Sequence, residues 1–364
     1  MTDAPVRVFA APGRYVQGPG ALDLLGELLR PYGDRPFIVW DAPVRRLLAA
    51  RLARVFAAAG LRPVLAELPG EITYSAVEEL LDARGADADQ VCVGIGGGKV
   101  LDAAKAVALR VGAPVVTVPS IASNDSPASG AVAMYDDDHV MISVDRLPRH
   151  PDLVLVDTRL VAEAPVEFLR CGIGDAIAKK FEADACAAGT GSTPVGGRPL
   201  RTAGAIADAC YRTIAAHGVA ALAACAGDQV TEELEAVVEA VVLMSGLGFE
   251  NGGLSLAHGL TRGLVRARGA SRAAHGRHVA WGLLVQLAAE GRPAGELAAL
   301  IELHGRLGLP TSLAELGMPD PTGAEIGALA ELTMAAPHVR NMPAPVDAAQ
   351  IATAIRQVEE LAVR

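Results

Sequence analysis

The chain has 364 residues, enough at roughly 100–200 residues per domain for two or three domains with real cores. It is 51% hydrophobic, 4% aromatic and 20% charged, which excludes a disordered chain and describes an alanine-rich, helix-rich globular protein. A formal charge of −10 without a long basic run excludes a nucleic-acid backbone binder, and no apolar stretch of about 20 residues is free of charge, so no membrane partner is expected.

In chain order, residues 35–41 read as a buried strand ending in an acid, 44–59 as an amphipathic helix, 62–68 as a second strand and 74–84 as a second helix. Residues 91–95 form a third strand, 100–111 a third helix and 114–119 a fourth strand. Segments 131–135, 140–144 and 153–156 add strands or a hairpin. Alternation of strands with helices of this length predicts βαβ units and a mostly parallel sheet. From residue 161 onward the pattern is almost wholly helical, with Gly- and Pro-containing breaks near 189–199, 251–253, 266–276, 309–322 and 336–346. The expected division is therefore an α/β domain over 1–160 and an all-helical domain over 161–364. The five cysteines contain no Cys-x-x-Cys pair, and residues 1–12 carry no basic-then-apolar leader. Reduced thiols and a cytoplasmic location are expected.

The 39 glycines exceed the ordinary usage of about 7% by roughly half and have no collagen-like period, so their roles are local. The densest cluster lies in Gly94-Ile-Gly-Gly-Gly-Lys-Val-Leu-Asp-Ala-Ala-Lys105, where a strand enters a helix through consecutive glycines. Unshielded N–H groups at a helix start suit a pyrophosphate. The generic fingerprints do not apply: a dinucleotide Gly-x-Gly-x-x-Gly needs glycine at Lys99, and a P-loop needs Ser or Thr at Val100. A merely tight strand–helix turn is the plain alternative. The segment Val118-Pro-Ser-Ile-Ala-Ser-Asn-Asp-Ser-Pro127 follows the next strand, at the carboxyl end where open α/β sheets bind ligands.

Metal-type side chains gather in the second half: Asp175 in Gly172-Ile-Gly-Asp-Ala, at an expected first helical turn, His258 in Leu256-Ala-His-Gly259, and His275 in Ala274-His-Gly276. One acid with two histidines and an open position suits a catalytic divalent metal. Asp175 as a helix N-cap, His258 as a core histidine and His278 as a rival ligand are the alternatives. No Gly-x-Ser-x-Gly elbow is present, and the cysteines show no evident nucleophile arrangement.

Together these motifs resemble the glycerol dehydrogenase branch of the iron-containing alcohol dehydrogenase superfamily. The likeness begins at Ala11-Pro-Gly-Arg-Tyr-Val-Gln-Gly18. It continues through Gly96–Lys105, Pro119–Pro127, Val154–Thr158, Gly172–Asp175, Gly248–Gly253, Ala257-His258 and His275-Gly276 to Asn341-Met-Pro343. The resemblance implies an NAD-binding domain, a helical metal domain and metal-assisted hydride transfer from a secondary hydroxyl of a small polyol. It implies Asp175, His258 and His275 as ligands of one divalent metal, zinc in preference to iron. Gly97 and Gly98, with Lys99 and Asp102 in the same motif, fall on the cofactor side. Asp41 is placed on the adenosine ribose, which favours NAD over NADP, and Ser120 and Ser123 near the nicotinamide. Asp125 is the expected residue for orienting a hydroxyl or relaying its proton, and Tyr135 and Phe249 are expected to wall the substrate. A homo-oligomer is expected from the same resemblance.

The chain departs from that branch at Lys179-Lys180, where Thr-Trp is common. It departs again in the basic loop 266–274, at Arg277-His278 and at Arg340. This added positive charge suggests an anionic or larger polyol-like substrate, a 2-hydroxy acid or a cyclitol. A lyase resembling dehydroquinate synthase is the other alternative.

Overall fold

The computed structural model describes residues 6–85 and 91–362. Among the described residues two compact units result, the first within 11–166 and 224–243, the second within 6–10, 167–223 and 244–362. The chain thus changes unit near residue 166, six residues beyond the expected break. Each unit also borrows a segment from outside its expected range.

The first unit is built on a six-stranded, wholly parallel sheet. Its strands are β1 (Tyr15–Gly18), β2 (Phe37–Trp40), β3 (Val64–Glu67), β4 (Cys92–Gly96), β5 (Val115–Pro119) and β8 (Leu153–Asp157), in the order β1-β8-β5-β4-β2-β3. Strands β6 (Ala131–Tyr135) and β7 (Met141–Arg146) form a separate antiparallel hairpin. The crossover helices are α1 (Leu25–Leu29), α2 (Ala42–Ala58), α3 (Tyr74–Arg84) and α4 (Gly98–Val111). The two faces of the sheet bury alternate side chains. Ile38, Trp40, Val93, Ile95, Val116 and Val118 join Leu25, Leu48, Leu52 and Phe56 in one core. Phe37, Val39, Cys92 and Val115 join Val77, Leu80, Val100 and Val107 in the other. A sheet covered on both faces requires the near-continuous apolar runs seen in β2, β4 and β5. Strand β1, half-buried at the sheet edge, and helix α1 after it are absent from the sequence-based expectation, which begins at residue 35.

Parallel topology brings the carboxyl ends of β2, β4 and β5, which are neighbours, to one edge of the sheet. The residues that follow them are Asp41, Gly97 and Ser120, so three separate motifs meet by register alone.

The second unit is helical. Its elements are α6 (Val166–Ala176), α7 (Lys179–Ala188), α8 (Arg201–Ala226), α10 (Ser245–Gly252), α11 (Leu256–Leu264), α12 (His275–Ala289), α13 (Ala294–Leu307), α14 (Gly323–Met334) and α15 (Ala348–Ala362). The remaining helices, α5 (Thr158–Ala162) and α9 (Glu232–Glu239), belong to the first unit. Among the described residues α8 alone has the length and apolar composition of a membrane span. Its Asp208, however, pairs with Lys180 at 3.3 Å and with Arg212 at 2.9 Å, as a surface helix would.

Candidate active site

In the helical unit, three side chains expected to share a metal converge. The ligand atoms of Asp175, His258 and His275 all lie within 4.8 Å of one another. Nε2 of His258 is 3.1 Å from Asp175 Oδ1, and Nε2 of His275 is 3.9 Å from the same oxygen. An acid and two imidazoles at this separation are a donor set that fits a divalent cation and leaves further positions open.

Local structure explains how each arrives. Asp175 stands in the last turn of α6, not in a first turn as its sequence context suggests. Gly172 and Gly174 read as breaks in the sequence, but both lie inside the helix. A Cβ at Gly174 would stand 2.5 Å from Gly276 O, and one at Gly276 would stand 1.8 Å from Cys171 O. Helices α6 and α12 therefore touch backbone to backbone, and His275, the first residue of α12, is drawn toward Asp175.

His258 is the third residue of α11, whose N-terminal N–H groups need acceptors. The N-cap Ser255 makes no side-chain cap. Glu182 of α7 supplies it instead: its Oε1 accepts from Ser255 N at 2.8 Å and from His258 N at 3.0 Å. Gln286 Oε1 accepts from Ala257 N at 3.0 Å. The second Glu182 oxygen accepts a hydrogen bond from His258 Nδ1 at 2.6 Å, which turns Nε2 toward Asp175. A carboxylate behind a ligating imidazole fixes the ring and its tautomer. His278, the rival ligand, is buried elsewhere, with Nε2 2.7 Å from Ala270 O.

Lys179 is fully buried, and its Nζ donates to Asp175 Oδ1 at 2.7 Å and lies 3.1 Å from His258 Nε2. Its ammonium also lies over the Phe249 ring, 5.7 Å from the centroid. Burial alone would raise the Asp175 carboxyl, but Lys179, His258 and His275 together outweigh it and hold the group well below the usual carboxylate range. Burial opposes the charge of Glu182 too, and the neighbouring His258 pulls that carboxyl down. Burial disfavours a charged His258, yet Glu182 lifts it to about 9.

Apart from the buried His278, the other basic side chains that depart from the family pattern are exposed or partly exposed. Arg268 pairs with Glu325, Arg277 reaches the carbonyls of Gly308 and Glu315, Lys180 pairs with Asp184, and Arg340 is exposed. Of all the departures, Lys179 is the one placed against Asp175 and His258.

In the α/β unit, α4 begins at Gly98 with Gly97 as an N-cap that offers no side chain. The glycines divide by function. A Cβ at Gly96 would stand 2.8 Å from Val100 Cβ, and one at Gly94 3.0 Å from Ala104 Cβ, so these two allow β4 to pack on α4. Gly97 and Gly98 leave the helix start bare, with Asn124 Nδ2 2.8 Å from the Cβ position of Gly98. Such a start fits a pyrophosphate. Asp41 caps α2 through Val44 N at 2.8 Å. Lys99 is tied to Glu71 at 2.6 Å.

Asp102 is buried with Lys105 Nζ at 3.0 Å, Ser126 Oγ at 2.6 Å and Ala133 N at 3.1 Å as its donors. Its carboxylate thus organises the segment that carries Asp125, a buried residue at the start of a short 3-10 turn, Ser126–Ala128. Ser120 and Ser123 are half-buried on the loop after β5. Tyr135 ends β6, its phenol pushed up to about 12 by burial. Sequence reasoning missed Glu182, Asn124 and Lys105 as supporting residues. Only the spacing Asp175, Lys179, Glu182, one face of a helix, could have signalled the first.

Residues 12–158 match the iron-containing alcohol dehydrogenase family. The chain is 37% identical over 362 residues to a glycerol dehydrogenase of Escherichia coli O6:H1, covering 98% of each. It is likewise 37% identical over 358 residues to a glycolaldehyde reductase of Halobacterium salinarum, again covering 98% of each. The crystal structure of glycerol dehydrogenase from Schizosaccharomyces pombe superposes with a TM-score of 0.94 at 31% identity, covering 98% of this chain and 91% of that one. The chain belongs to the iron-containing alcohol dehydrogenase family, in its glycerol dehydrogenase branch.

Proposed function

We propose that this alcohol dehydrogenase oxidises the secondary hydroxyl of a small polyol of the glycerol type, with NAD as hydride acceptor and one divalent cation, zinc in preference to iron. The carrying observation is the convergence of Asp175, His258 and His275 in a chain so similar to a glycerol dehydrogenase. When bound, the cation supplies Lewis acidity toward a hydroxyl oxygen and the nicotinamide supplies the hydride acceptor. Asp175, His258 and His275 would hold the cation, and Glu182 keeps Nε2 of His258 turned to it. Gly97 and Gly98 admit the pyrophosphate, Asp41 takes the ribose hydroxyls with its second oxygen, and Ser120 and Ser123 serve the nicotinamide end. Lys99 and Asp102 act on this side indirectly, through Glu71 and the 124–133 segment. Asp125 orients the second hydroxyl or takes the released proton, while Tyr135 and Phe249 border the substrate. The protein is assigned to the cytoplasm, in keeping with five free, buried thiols, and to a homo-oligomer.

The test is a panel of glycerol, other vicinal diols, 2-hydroxy acids and cyclitols with NAD, run on metal-stripped protein reloaded with zinc or iron. NADH formation fastest with a vicinal diol, and lost in Asp175→Ala and His258→Ala, is expected. Preference for a hydroxy acid, or turnover without NADH accumulation as in a lyase, would overturn the reading.

A further inference from the structure

The metal donor set already faces a cation supplied by the chain itself. Nζ of Lys179 is 2.7 Å from Asp175 Oδ1 and 3.1 Å from His258 Nε2, atoms that are themselves 3.1 Å apart. Its side chain is 1% exposed, so bulk solvent does not screen it. An ion at the usual distance of about 2.1 Å from both donors would lie within roughly 4 Å of that nitrogen wherever it sat. Its two charges would then face an unscreened ammonium, and the Asp175 oxygen would serve both. The two carboxylates of the site, Asp175 and Glu182, are both buried, so their charge needs a counter-cation whether or not a metal is bound. Lys179 is that cation by position: it is one helical turn beyond Asp175, and the helix C-terminus where Asp175 stands disfavours an unpaired carboxylate.

We propose that Lys179 is the built-in cation of this site, and that a divalent ion binds Asp175, His258 and His275 by displacing its ammonium. The inference rests on the ligand reading given above. The lysine keeps the donors assembled without metal and lowers the affinity for one, so that the site exchanges its ion instead of holding it permanently. A flexible four-carbon stem allows the swing. The Phe249 ring, 5.7 Å from Nζ, is the nearest aromatic face to receive it.

Zinc titration against a chromogenic chelator tests this on the full chain, with thermal melting of the metal-free protein alongside. Lys179→Met is expected to bind zinc at least tenfold more tightly than wild type, to melt lower without zinc, and to gain more in Tm when zinc is added. Lys179→Arg keeps the charge and should show no gain in affinity. Lys180→Met, which removes only a surface pair with Asp184 and Asp208, should match wild type. A merely structural lysine would not give tighter zinc binding when removed.

If zinc binding depends on Asp175 and His258 but Lys179→Met binds it no more tightly than wild type, the inference is wrong and the ligand reading survives. If neither protein binds zinc, or Asp175→Ala and His258→Ala bind it unchanged in both backgrounds, the ligand reading fails and the inference falls with it.

Discussion

Glutamine at position 182 isolates what the carboxylate behind His258 contributes. Both backbone N–H groups that Glu182 receives, from Ser255 and His258, go to the same oxygen, Oε1, and the other oxygen faces His258 Nδ1 at 2.6 Å. In Glu182→Gln the amide oxygen keeps the two backbone bonds, so the NH2 must face Nδ1. A donor there forces Nδ1 to accept and places the ring proton on Nε2, the atom needed by the metal. Replacing one charge-assisted bond by a neutral one costs about 1–2 kcal/mol of stability. The tautomer change lowers zinc affinity by roughly tenfold to a hundredfold, or about 1.4–2.7 kcal/mol. Glu182→Ala instead leaves the α11 start without its acceptor and strips a buried imidazole of its partner, which costs about 3–5 kcal/mol. Zinc titration and urea unfolding on the same preparations separate the two effects. Wild-type zinc affinity in Glu182→Gln, with the fold intact, would refute the assigned tautomer and the role of Glu182 as the group that orients His258.

Three further outcomes are expected. Gly276→Ala sets a methyl 1.8 Å from Cys171 O, so it is expected to cost about 3 kcal/mol by overpacking and to weaken zinc binding by parting His275 from Asp175; unchanged unfolding would show that α12 shifts freely. Asp41→Asn keeps a good N-cap for α2 and should leave stability within about 0.5 kcal/mol, while the kcat/KM preference for NAD over NADP falls at least tenfold; Asp41→Ala should also lose about 1 kcal/mol, and an unmoved preference would leave Asp41 as a cap only. Burial holds His304 down to about 4, so the folded protein refuses a proton that the unfolded chain takes below about pH 6.5. Its contribution is therefore complete above pH 6.5 and declines toward pH 4 by about 3 kcal/mol, and His304→Gln should flatten that part of the urea-stability profile; parallel profiles for the two proteins would contradict this.

Most of the sheet was legible because a strand buried on both faces needs an unbroken apolar run, and 91–95 and 114–119 are such runs. Strand β1 was not, since an edge strand of four half-buried residues carries no such run. The spatial order of strands was hidden as well, because crossovers such as β5 to β8 are set by packing and not by sequence neighbourhood. At the site, the metal-type residues were legible as residues but their local setting was not. Gly172 and Gly174 carry a low helix propensity and suggested a break before Asp175. Close contact with α12 outweighs that preference and runs α6 through both. Lys179 stood out by composition, as one of four lysines, but nothing in its sequence context tells a buried ammonium from the exposed one at Lys180.

The glycine surplus and the donor set have a common cause. Each of the three donors has a glycine beside it in the chain: Gly174 before Asp175, Gly259 after His258 and Gly276 after His275. Aspartate and histidine are short, so donors within 4.8 Å of one another require their helices to approach more closely than side chains allow. A Cβ at Gly174 or Gly276 would strike backbone, at 2.5 Å and 1.8 Å, whereas at Gly259 it would meet the tip of Val339 at 2.9 Å. Backbone cannot turn away, and α11 is held in the same manner at other glycines: a Cβ at Gly282 of α12 would stand 2.6 Å from Ala257 O, beside His258, and one at Gly263 2.6 Å from Leu329 O. The α6–α12 contact carries Asp175 and His275, while His258 also donates hydrogen bonds to Glu182 from its backbone N–H and its Nδ1. The helices of all three donors are thus set by close backbone contact, and the His258 ring is oriented in addition by the buried Glu182 carboxylate. The Lys179 ammonium reaches both Asp175 and His258, at 2.7 Å and 3.1 Å, so a change of charge there acts at once on a donor on α6 and on one on α11.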